Sequence, residues 1–301
     1  MFNLRRTHSH ARLLDPLLIA VALFGLLVMW LTSRAGGVWD VLGALAFINE
    51  CLLIYGVFVE PQRLIVTTIR RKLVPEPAAW IRIVFLTDLH AGSFYPAARY
   101  ELIAREAAAL HPDVVLLGGD YVVDRAEPIV DLKALSGIQA RLGKYFVLGN
   151  HDLIDRPADI RRALTSYGYT DLTNECVRLE ANGRSCELQA VDDIWYGKVK
   201  RFTRSSPSLP HLTLSHEPDL LMDLKEGDTD LVLIGHTHGG QLRLPSIGAL
   251  IPIPSKLGRA ADQGEKIIHG IPCIISNGLG ESDGRARLLA PPEIVVVEVG
   301  I

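Results

Sequence analysis

Five short apolar runs in this chain each end at residues that can bind a metal ion. The run IRIVFLTDLH is typical, because its hydrophobic residues are followed directly by Asp88 and His90. The runs VVLLGGD, YFVLGNHD, HLTLSH and LVLIGHTHGG repeat this arrangement. Open α/β sheets bind ligands at the carboxyl ends of their strands, so the pattern predicts one polar site over one sheet. The polar residues at these ends are Asp88, His90, Asp120, Asn150, His151, Asp152, His216, His236 and His238.

The periodicity of the same region predicts an α/β domain from residue 60 to residue 301. In its first half, β-branched runs are separated by stretches with helical spacing, such as the alanine-rich Ala97–Leu110. The second half is richer in strands, which predicts a second sheet packed on the first in a four-layer αββα sandwich. Strands are expected at 63–71, 81–87, 114–117, 145–148, 186–191, 211–215, 231–234, 271–276 and 294–299, and helices at 97–110, 128–140, 157–167 and 218–225.

The N-terminal region, residues 1–59, has the composition of a membrane anchor. Pro16–Thr32 carries no charge, and Val41–Val59 is a second apolar stretch interrupted by Asn49 and Glu50. A carboxylate at mid-bilayer costs roughly 2.5–3.5 kcal/mol, which the other apolar residues can offset. We expect one or two transmembrane helices, at about 13–32 and 41–59, with a helical hairpin favoured. The alternatives are a signal sequence for the first stretch and an interfacial or core helix for the second.

The number of spans decides which side of the membrane the domain faces. Basic residues precede the first stretch and follow the second, and basic residues favour the cytoplasm. Two spans therefore place the domain in the cytoplasm, at the inner membrane, whereas one span would place it outside. The basic residues are Arg5, Arg6, Arg12, Arg63, Arg70, Arg71 and Lys72, against Arg34 alone in the short loop between the stretches.

Charge and cysteine content narrow the class of protein. The formal net charge of -3 gives no basic field of the kind that binds nucleic acid. The four cysteines have no zinc-ribbon spacing, and reduced thiols are the expected state. Cys176 and Cys186 have the alternative of pairing across a hairpin.

Seven of the residues at the strand ends are metal donors, namely two Asp, one Asn and four His. Seven donors are too many for one zinc ion, which takes about four. They suit two ions that share Asp120, since a carboxylate has two oxygens. Two ions about 3.5–4 Å apart are a standard device for hydrolysing phosphate esters. Asp88 and His90, and likewise His236 and His238, are two positions apart, so on an extended strand both members of a pair would face one ion.

In order and spacing, D-x-H (88–90), G-G-D (118–120), G-N-H-D (149–152), His216 and G-H-T-H (235–238) resemble the calcineurin-like metallophosphoesterase family. The resemblance covers roughly residues 80–300 and implies the αββα sandwich. It implies that Asp120 is shared by two ions, whose identity among Mn, Fe, Zn and Ni stays open. The ligands implied for the first ion are Asp88, His90, Asp120 and His238, and those for the second are Asp120, Asn150, His216 and His236.

The resemblance also implies a reaction in which a hydroxide bridging the two ions attacks phosphorus. His151 is similar to the family histidine that contacts the phosphate and protonates the leaving oxygen, and Asp152 would orient it. Arg243 is a candidate phosphate ligand, with an ordinary surface arginine as the alternative. Gly239 and Gly240 belong to the same candidate substrate site or are simply turn glycines.

The segments GGQLRLPSIGA (239–249), SNGLGES (276–282) and PPEI (291–294) resemble a narrower bacterial subgroup of membrane-associated phosphodiesterases. Enzymes near that subgroup cleave the pyrophosphate of UDP-2,3-diacylglucosamine, so the resemblance implies a phosphate-ester substrate, and the apolar N-terminus suits a lipid-linked one. The alternatives are a phosphomonoesterase, a protein phosphatase, or a non-catalytic scaffold that keeps the fold. The sequence does not indicate an oligomeric state.

Overall fold

The structure is a computed structural model that describes residues 11–33, 37–200, 204–282 and 284–301. Its α-helices are α1 (Ala11–Thr32), α2 (Val38–Ile54), α3 (Ala97–Ala109) and α4 (Pro157–Ser166). Its strands are β1 (Ile65–Lys72), β2 (Trp80–Leu86), β3 (Val114–Leu117), β4 (Lys144–Phe146), β5 (Thr170–Asp171), β6 (Cys176–Ala181), β7 (Arg184–Ala190), β8 (His211–Ser215), β9 (Leu231–Ile234), β10 (Arg243–Leu244), β11 (Gly248–Ala249), β12 (Gly264–Ile268), β13 (Ile271–Ile275) and β14 (Glu293–Gly300).

Most strands belong to two mixed sheets of six strands each. The first has the order β1-β14-β2-β3-β4-β5, and the second has the order β12-β13-β9-β8-β7-β6. Strands β2, β3, β4 and β5 are parallel, as are β13, β9, β8 and β7. The strands β10 and β11 form a separate short hairpin. Each sheet therefore has a parallel centre whose carboxyl ends lie at one edge.

Alternating side chains of the central strands build the layers. In β2, Ile83 and Phe85 pack between the two sheets, whereas Val84 and Leu86 face the helices α3 and α4. The strands of the second sheet alternate likewise, with Leu233 between the sheets and its neighbours in a third apolar cluster. The outer face of the second sheet is covered by short 3-10 helices at Pro218–Met222 and Gly258–Ala261. The fold is thus a mixed α/β fold of two stacked sheets, with α-helices on one outer face and short 3-10 helices on the other.

Two expected helices are 3-10 helices instead. The segment expected as a helix at 128–140 is a 3-10 helix, Glu127–Gly137, and the one at 218–225 is Pro218–Met222. In the first of these, Ile129, Leu132 and Leu135 are buried at intervals of three residues. That spacing matches the three residues per turn of a 3-10 helix.

The predicted strands omitted the outer strands of the second sheet. Strand β6 pairs antiparallel with β7, and β12 pairs antiparallel with β13. Both alternate exposed and buried positions and carry charged residues, so neither has the apolar run used to identify strands. The register of the β6–β7 pair places Cys176 opposite Gln189 and Cys186 opposite Leu179. The alternative of a Cys176–Cys186 disulfide is therefore wrong, and all four cysteines are free thiols.

The N-terminal helices α1 and α2 pack against each other as an antiparallel pair. The hydroxyl of Thr32, at the end of α1, lies over Gly43, and the carboxyl of Glu50 lies over Gly25. The apolar helix Val38–Gln62 includes α2, a π-helical turn (Tyr55–Val59) and a 3-10 turn (Glu60–Gln62).

By length and composition, Val38–Gln62 can cross a membrane, since its 25 residues have a mean hydropathy of 2.0 in their most apolar window. Only 6% of that window is buried, so it is not a core helix of the domain. Ile19–Thr32 is a shorter apolar helix within the described residues. Arg5, Arg6 and Arg34, three of the basic residues on which the predicted membrane topology depends, lie outside the described residues.

Candidate metal centre

The carboxyl edges of the two sheets meet at the candidate site. The loop after β2 runs beside the loop after β3, where the amide of Asp88 donates to Gly119 O at 2.9 Å. From the second sheet, His216 follows β8, and its Nδ1 lies 2.7 Å from Gly118 O. The second sheet is therefore joined to the first where the candidate ligands converge. Six of the seven are less than 7% exposed, and Asn150 is 8% exposed.

Five of the seven candidate ligands have left-handed backbone conformations. Residues other than glycine adopt positive φ rarely, and Asp and His do so more readily than most. Such conformations cluster at functional sites, where the surrounding structure maintains them. The φ angles are 54° at Asp88, 45° at His90, 53° at Asp120, 68° at His236 and 51° at His238.

These angles correct the expected geometry of the two i, i+2 pairs. Asp88 and His90 lie beyond the end of β2 rather than on it, and His236 and His238 lie beyond β9. Strand alternation therefore does not bring each pair to one side. Successive left-handed turns do so.

The carboxylate of Asp120 lies at the centre of the cluster. Its Oδ1 accepts a hydrogen bond from the amide of His151 at 2.9 Å. Its Oδ2 lies 3.6 Å from His90 Nε2 and 3.2 Å from His216 Nε2. One oxygen thus faces donors from both sheets.

A first group of donors lies on one side of Asp120. His90 Nε2 and His238 Nε2 are 3.0 Å apart, and His238 Nε2 is 3.5 Å from Asp88 Oδ1. The ligand atoms of these three residues all lie within 4.8 Å of one another. The Asp88 carboxylate also accepts hydrogen bonds from the amide of His236 and the hydroxyl of Thr87, which fix its direction.

A second group of donors, His216, Asn150 and His236, lies on the other side of Asp120. Hydrogen bonds to the two imidazoles select the tautomers that can bind a cation. Since a carbonyl only accepts, Gly118 O fixes the proton of neutral His216 on Nδ1 and leaves Nε2 as a lone-pair donor. That Nε2 lies 3.2 Å from Asn150 Oδ1. In the same way, Pro254 O, 2.8 Å from His236 Nε2, leaves His236 Nδ1 unprotonated. His236 Nδ1 is buried without a hydrogen-bond partner, and a metal ion would satisfy it.

Burial and the Asp120 charge set the protonation of the cluster. Desolvation lowers the pKa of His90 to about 3 and that of His236 to about 4, and it lowers the pKa of His238 well below its usual value. These imidazoles are therefore neutral, as ligation requires. Burial opposes ionisation of Asp120, but His216, His151 and His90 together outweigh it and hold the Asp120 pKa well below its usual range. Desolvation lowers the pKa of His216, but Asp120 outweighs this effect and raises the pKa well above the usual value. His216 is therefore charged beside Asp120 and would give up its Nε2 proton to bind a metal ion.

His151 lies beside the cluster without the burial of the ligands. Its Nδ1 donates to Val123 O at 2.5 Å and to Asp124 Oδ1 at 2.9 Å, so Nε2 remains for a substrate. Its ring centroid is 5.0 Å from that of His90. Desolvation lowers the His151 pKa, but Asp120 and then Asp124 outweigh it and raise the pKa to about 9.

The predicted orientation of His151 by Asp152 is wrong, because Asp124 and Val123 make those contacts. The buried carboxylate of Asp152 instead accepts from the amides of Tyr121 at 2.8 Å, Val122 at 3.2 Å and Gly149 at 2.9 Å. Asp152 therefore ties the loop after β3 to the loop after β4. The sequence shows Asp124 as an acidic residue four positions after Asp120, but only the folded loop brings it to His151.

The structure also reassigns the three candidate substrate residues. Arg243 pairs with Asp262 at 2.8 Å and donates to Gly239 O at 2.7 Å, so its guanidinium is engaged within the protein. Gly239 and Gly240 have φ angles of 63° and 74°. A methyl group at Gly239 would collide with Asn277, and one at Gly240 would collide with Ala249. The geometry therefore makes both turn glycines, which was the alternative interpretation.

Two residues near the ligands had no signal in the sequence. Arg287 is fully buried, its guanidinium donates to Ala290 O at 2.7 Å and Asn277 O at 2.9 Å, and it lies 3.4 Å from His238 Nδ1. Trp195 packs edge-on against His236, with ring centroids 4.5 Å apart. A single arginine or tryptophan in a loop carries no periodicity that would place it beside a distant histidine.

Two stacked sheets whose carboxyl edges surround a cluster of His and Asp donors are the arrangement of a metallophosphoesterase. The calcineurin-like phosphoesterase model matches residues 81–240, and the chain belongs to that family. Its members bind divalent metals, and the chain is a metal-dependent phosphoester hydrolase.

The similarity to several relatives extends beyond residues 81–240. The phosphodiesterase YaeI of Escherichia coli (strain K12) is 34% identical over 74% of this chain and 83% of its own length. The UDP-2,3-diacylglucosamine pyrophosphatase LpxG of Chlamydia muridarum (strain MoPn / Nigg) is 28% identical over 72% and 83%. A transmembrane protein with metallophosphoesterase domain from Bos taurus is 29% identical over 76% and 58%. The narrower subgroup suggested by GGQLRLPSIGA stays a prediction.

Gly119 provides a test of how tightly the site is packed. A Cβ at Gly119 would lie 2.6 Å from Gly149 N and 2.8 Å from His216 Nδ1, whereas one at Gly183 would meet nothing within 4 Å. Both glycines have positive φ. We therefore expect Gly119→Ala to lower the free energy of unfolding by about 1–3 kcal/mol more than Gly183→Ala. Urea titration in detergent measures the difference, and equal losses would contradict the packing argument.

Asp124 and Asp152 are expected to have separable roles. Asp152→Asn would place an amide NH2 group against backbone N–H donors, so we expect it to lower the free energy of unfolding by about 1–3 kcal/mol. Asp124→Asn should leave unfolding nearly unchanged and reduce turnover of an aryl phosphodiester, because His151 loses its charged partner. The assignment fails if Asp152→Asn is as stable as the wild type.

Proposed function

We propose that this chain is a membrane-anchored phosphodiesterase that holds two divalent ions on either side of Asp120. The observation that supports this most directly is the position of Asp120 Oδ2 between His90 Nε2 and His216 Nε2. A carboxylate oxygen so placed is a suitable shared ligand, and the two donor groups on its flanks suit one ion each.

The ligand sets proposed from the family resemblance follow this division. Asp88, His90, Asp120 and His238 would hold one ion, and Asp120, Asn150, His216 and His236 would hold the other. The mixture of imidazole and carboxylate donors suits Mn, Fe, Zn or Ni. Bound ions supply a lowered pKa for water and positive charge against the phosphoryl oxygens.

His151 would contact the substrate phosphate and give a proton to the leaving oxygen. Its Nε2 is the free ring nitrogen, because Val123 O and Asp124 hold Nδ1. Its side chain is 21% exposed, so a substrate can reach it from solvent. Asp124, rather than Asp152, would fix the ring and stabilise its charged form.

The substrate is proposed to be a phosphodiester or pyrophosphate with a lipid tail, of which UDP-2,3-diacylglucosamine is the reference compound. The names of two relatives, a phosphodiesterase and a UDP-2,3-diacylglucosamine pyrophosphatase, support this choice. The apolar helix Val38–Gln62 supports an anchor in the same membrane as such a lipid. The basic residues Arg63, Arg70, Arg71 and Lys72 after that helix favour a domain on the cytoplasmic side of the inner membrane.

Removing the shared carboxylate should affect both ions and the reaction. For Asp120→Ala we expect loss of hydrolysis of bis(p-nitrophenyl) phosphate and of UDP-2,3-diacylglucosamine, together with a fall in bound metal counted by elemental analysis. The matched control is Asp228→Ala, a loop substitution outside the site. Turnover of Asp120→Ala close to that of the wild type would refute the shared-ligand model, as would a well-folded protein that takes up no metal.

Removing the proposed acid should separate catalysis from metal binding. His151→Ala is expected to lower kcat for the same aryl diester by roughly 10²–10⁴-fold, the usual contribution of general acid catalysis. Its metal content should match that of the wild type, because His151 is not a proposed ligand. His269→Ala, an exposed histidine outside the site, is the control. A kcat unchanged by His151→Ala would exclude this role.

A further inference from the structure

The hairpin beside the metal centre presents apolar side chains to solvent. Leu244, Ile247, Leu250 and Ile251 are exposed by 36%, 53%, 46% and 38%, and the neighbouring Leu289 is exposed by 48%. We propose that these five residues, here called the apolar rim, contact the surface of the lipid bilayer and hold the mouth of the metal centre against it. The proposal rests on the membrane anchor of the proposed function.

The apolar rim is linked by hydrogen bonds to the apolar helix Val38–Gln62, and this link favours the lipid bilayer as its partner. The amide of Arg287 donates to Gly56 O, inside that helix, at 2.8 Å, and the amide of Ala290 donates to Glu60 Oε1 at 2.7 Å. Between these contacts, Leu288 forms a bridge with Leu242 at the base of the hairpin. Two hydrogen bonds complete this junction, from the amide of Arg243 to Leu288 O at 2.9 Å and from the amide of Leu288 to Gln241 O at 2.8 Å.

The depth of these contacts places the rim at the membrane boundary. Gly56 precedes Phe58 and Val59, which are apolar and are 60% and 44% exposed. The apolar surface of the helix therefore continues through Val59, three residues beyond the level of Gly56. Interfacial apolar surfaces enter the bilayer by about 5–10 Å. A chain segment bonded to Gly56 therefore lies where exposed leucine and isoleucine side chains can enter the acyl boundary.

The same hairpin is packed against the ligand loop. Gly240 has no room for a methyl group because Ala249 of the hairpin lies against it. Five residues beyond the hairpin, Pro254 O fixes the tautomer of His236. A hairpin seated on the bilayer would hold the metal centre close to the headgroups. A phosphate ester that keeps its acyl chains in the leaflet could then reach the ions without leaving the membrane.

The test places an environment-sensitive probe on the rim of the full-length protein. In a Cys51→Ser, Cys176→Ser background, an NBD label is attached at Ile247→Cys, or at Ile267→Cys as the matched control. Ile267 is 71% exposed on β12, near the turn that lies at the opposite end of its sheet from the site. The protein is embedded in nanodiscs of phosphatidylethanolamine and phosphatidylglycerol, with and without doxyl-labelled lipid.

We expect strong quenching by the doxyl lipid at position 247 and little at position 267. Equal quenching at the two positions would overturn the proposal. A blue-shifted but unquenched label at 247 would also overturn it, because the rim would then be covered by protein, such as a second copy of the chain. Failure of the protein to remain with the nanodiscs would contradict both the membrane anchor and the membrane contact of the apolar rim.

A kinetic arm separates this proposal from the proposed activity. For the double variant Ile247→Asp, Leu250→Asp we expect kcat/KM for UDP-2,3-diacylglucosamine in vesicles to fall by roughly tenfold or more, since the variant loses the burial of two apolar side chains. Hydrolysis of soluble bis(p-nitrophenyl) phosphate should be unchanged, and Ile267→Asp should change neither rate. An equal fall in the rates on both substrates would contradict the proposed membrane contact of the apolar rim. Quenching at position 247 in a protein that hydrolyses no diester would contradict the proposed activity but support the membrane contact of the apolar rim.

Discussion

Three carboxylates buried at neighbouring strand ends impose the main constraint on this structure. Asp88, Asp120 and Asp152 are at most 1% exposed. A buried carboxylate is costly unless hydrogen bonds or positive charge compensate it. Three backbone amides offset part of this cost at Asp152, the amide of His236 and a hydroxyl do so at Asp88, and the surrounding imidazoles do so at Asp120. Burial still raises the pKa of Asp88 to about 6 and that of Asp152 to about 7. Two of these contacts, from His236 to Asp88 and from His216 to Asp120, also join the second sheet to the first.

That compensation explains why the ligand loops are so irregular. A regular strand would direct its amides to neighbouring strands, and few would remain for the carboxylates. The loops after β3, β4 and β9 instead turn amides toward the carboxylates, and glycines allow the loops to approach closely at positions such as Gly119 and Gly149. The regular sheets beneath provide the fixed positions from which these loops begin.

The centre of the fold could be predicted from the sequence because its strands are buried on both faces. Runs such as Val114–Leu117, His211–Ser215 and Leu231–Ile234 were located to the residue, since continuous apolar stretches have few alternatives. The edge strands β6 and β12 were missed because one of their faces is solvated and their composition resembles that of loops. The segment Glu127–Gly137 is helical as expected, but its apolar spacing of three residues selects the 3-10 form.

The candidate site could also be predicted only in part. All seven predicted ligands converge, because residue type and position at a strand end are local features of the sequence. Contacts between loops were not predictable. Asp152 lies next to His151 in sequence but bonds to amides of another loop, and Asp124 is the residue that meets the imidazole. Arg243 illustrates the same limit, because a nearby acid, Asp262, engages the guanidinium that resembled a phosphate ligand.

The left-handed backbone at the ligands has a consequence for how such a centre can decay over evolution. A chain released from selection for metal binding would still have to maintain the turns at positions 88, 90, 120, 236 and 238. Glycine and asparagine satisfy those turns with little strain, whereas β-branched residues do not. Descendants that no longer bind metal should therefore accumulate glycine or asparagine at these positions. The loop conformations of the metal centre should then persist after metal binding is lost.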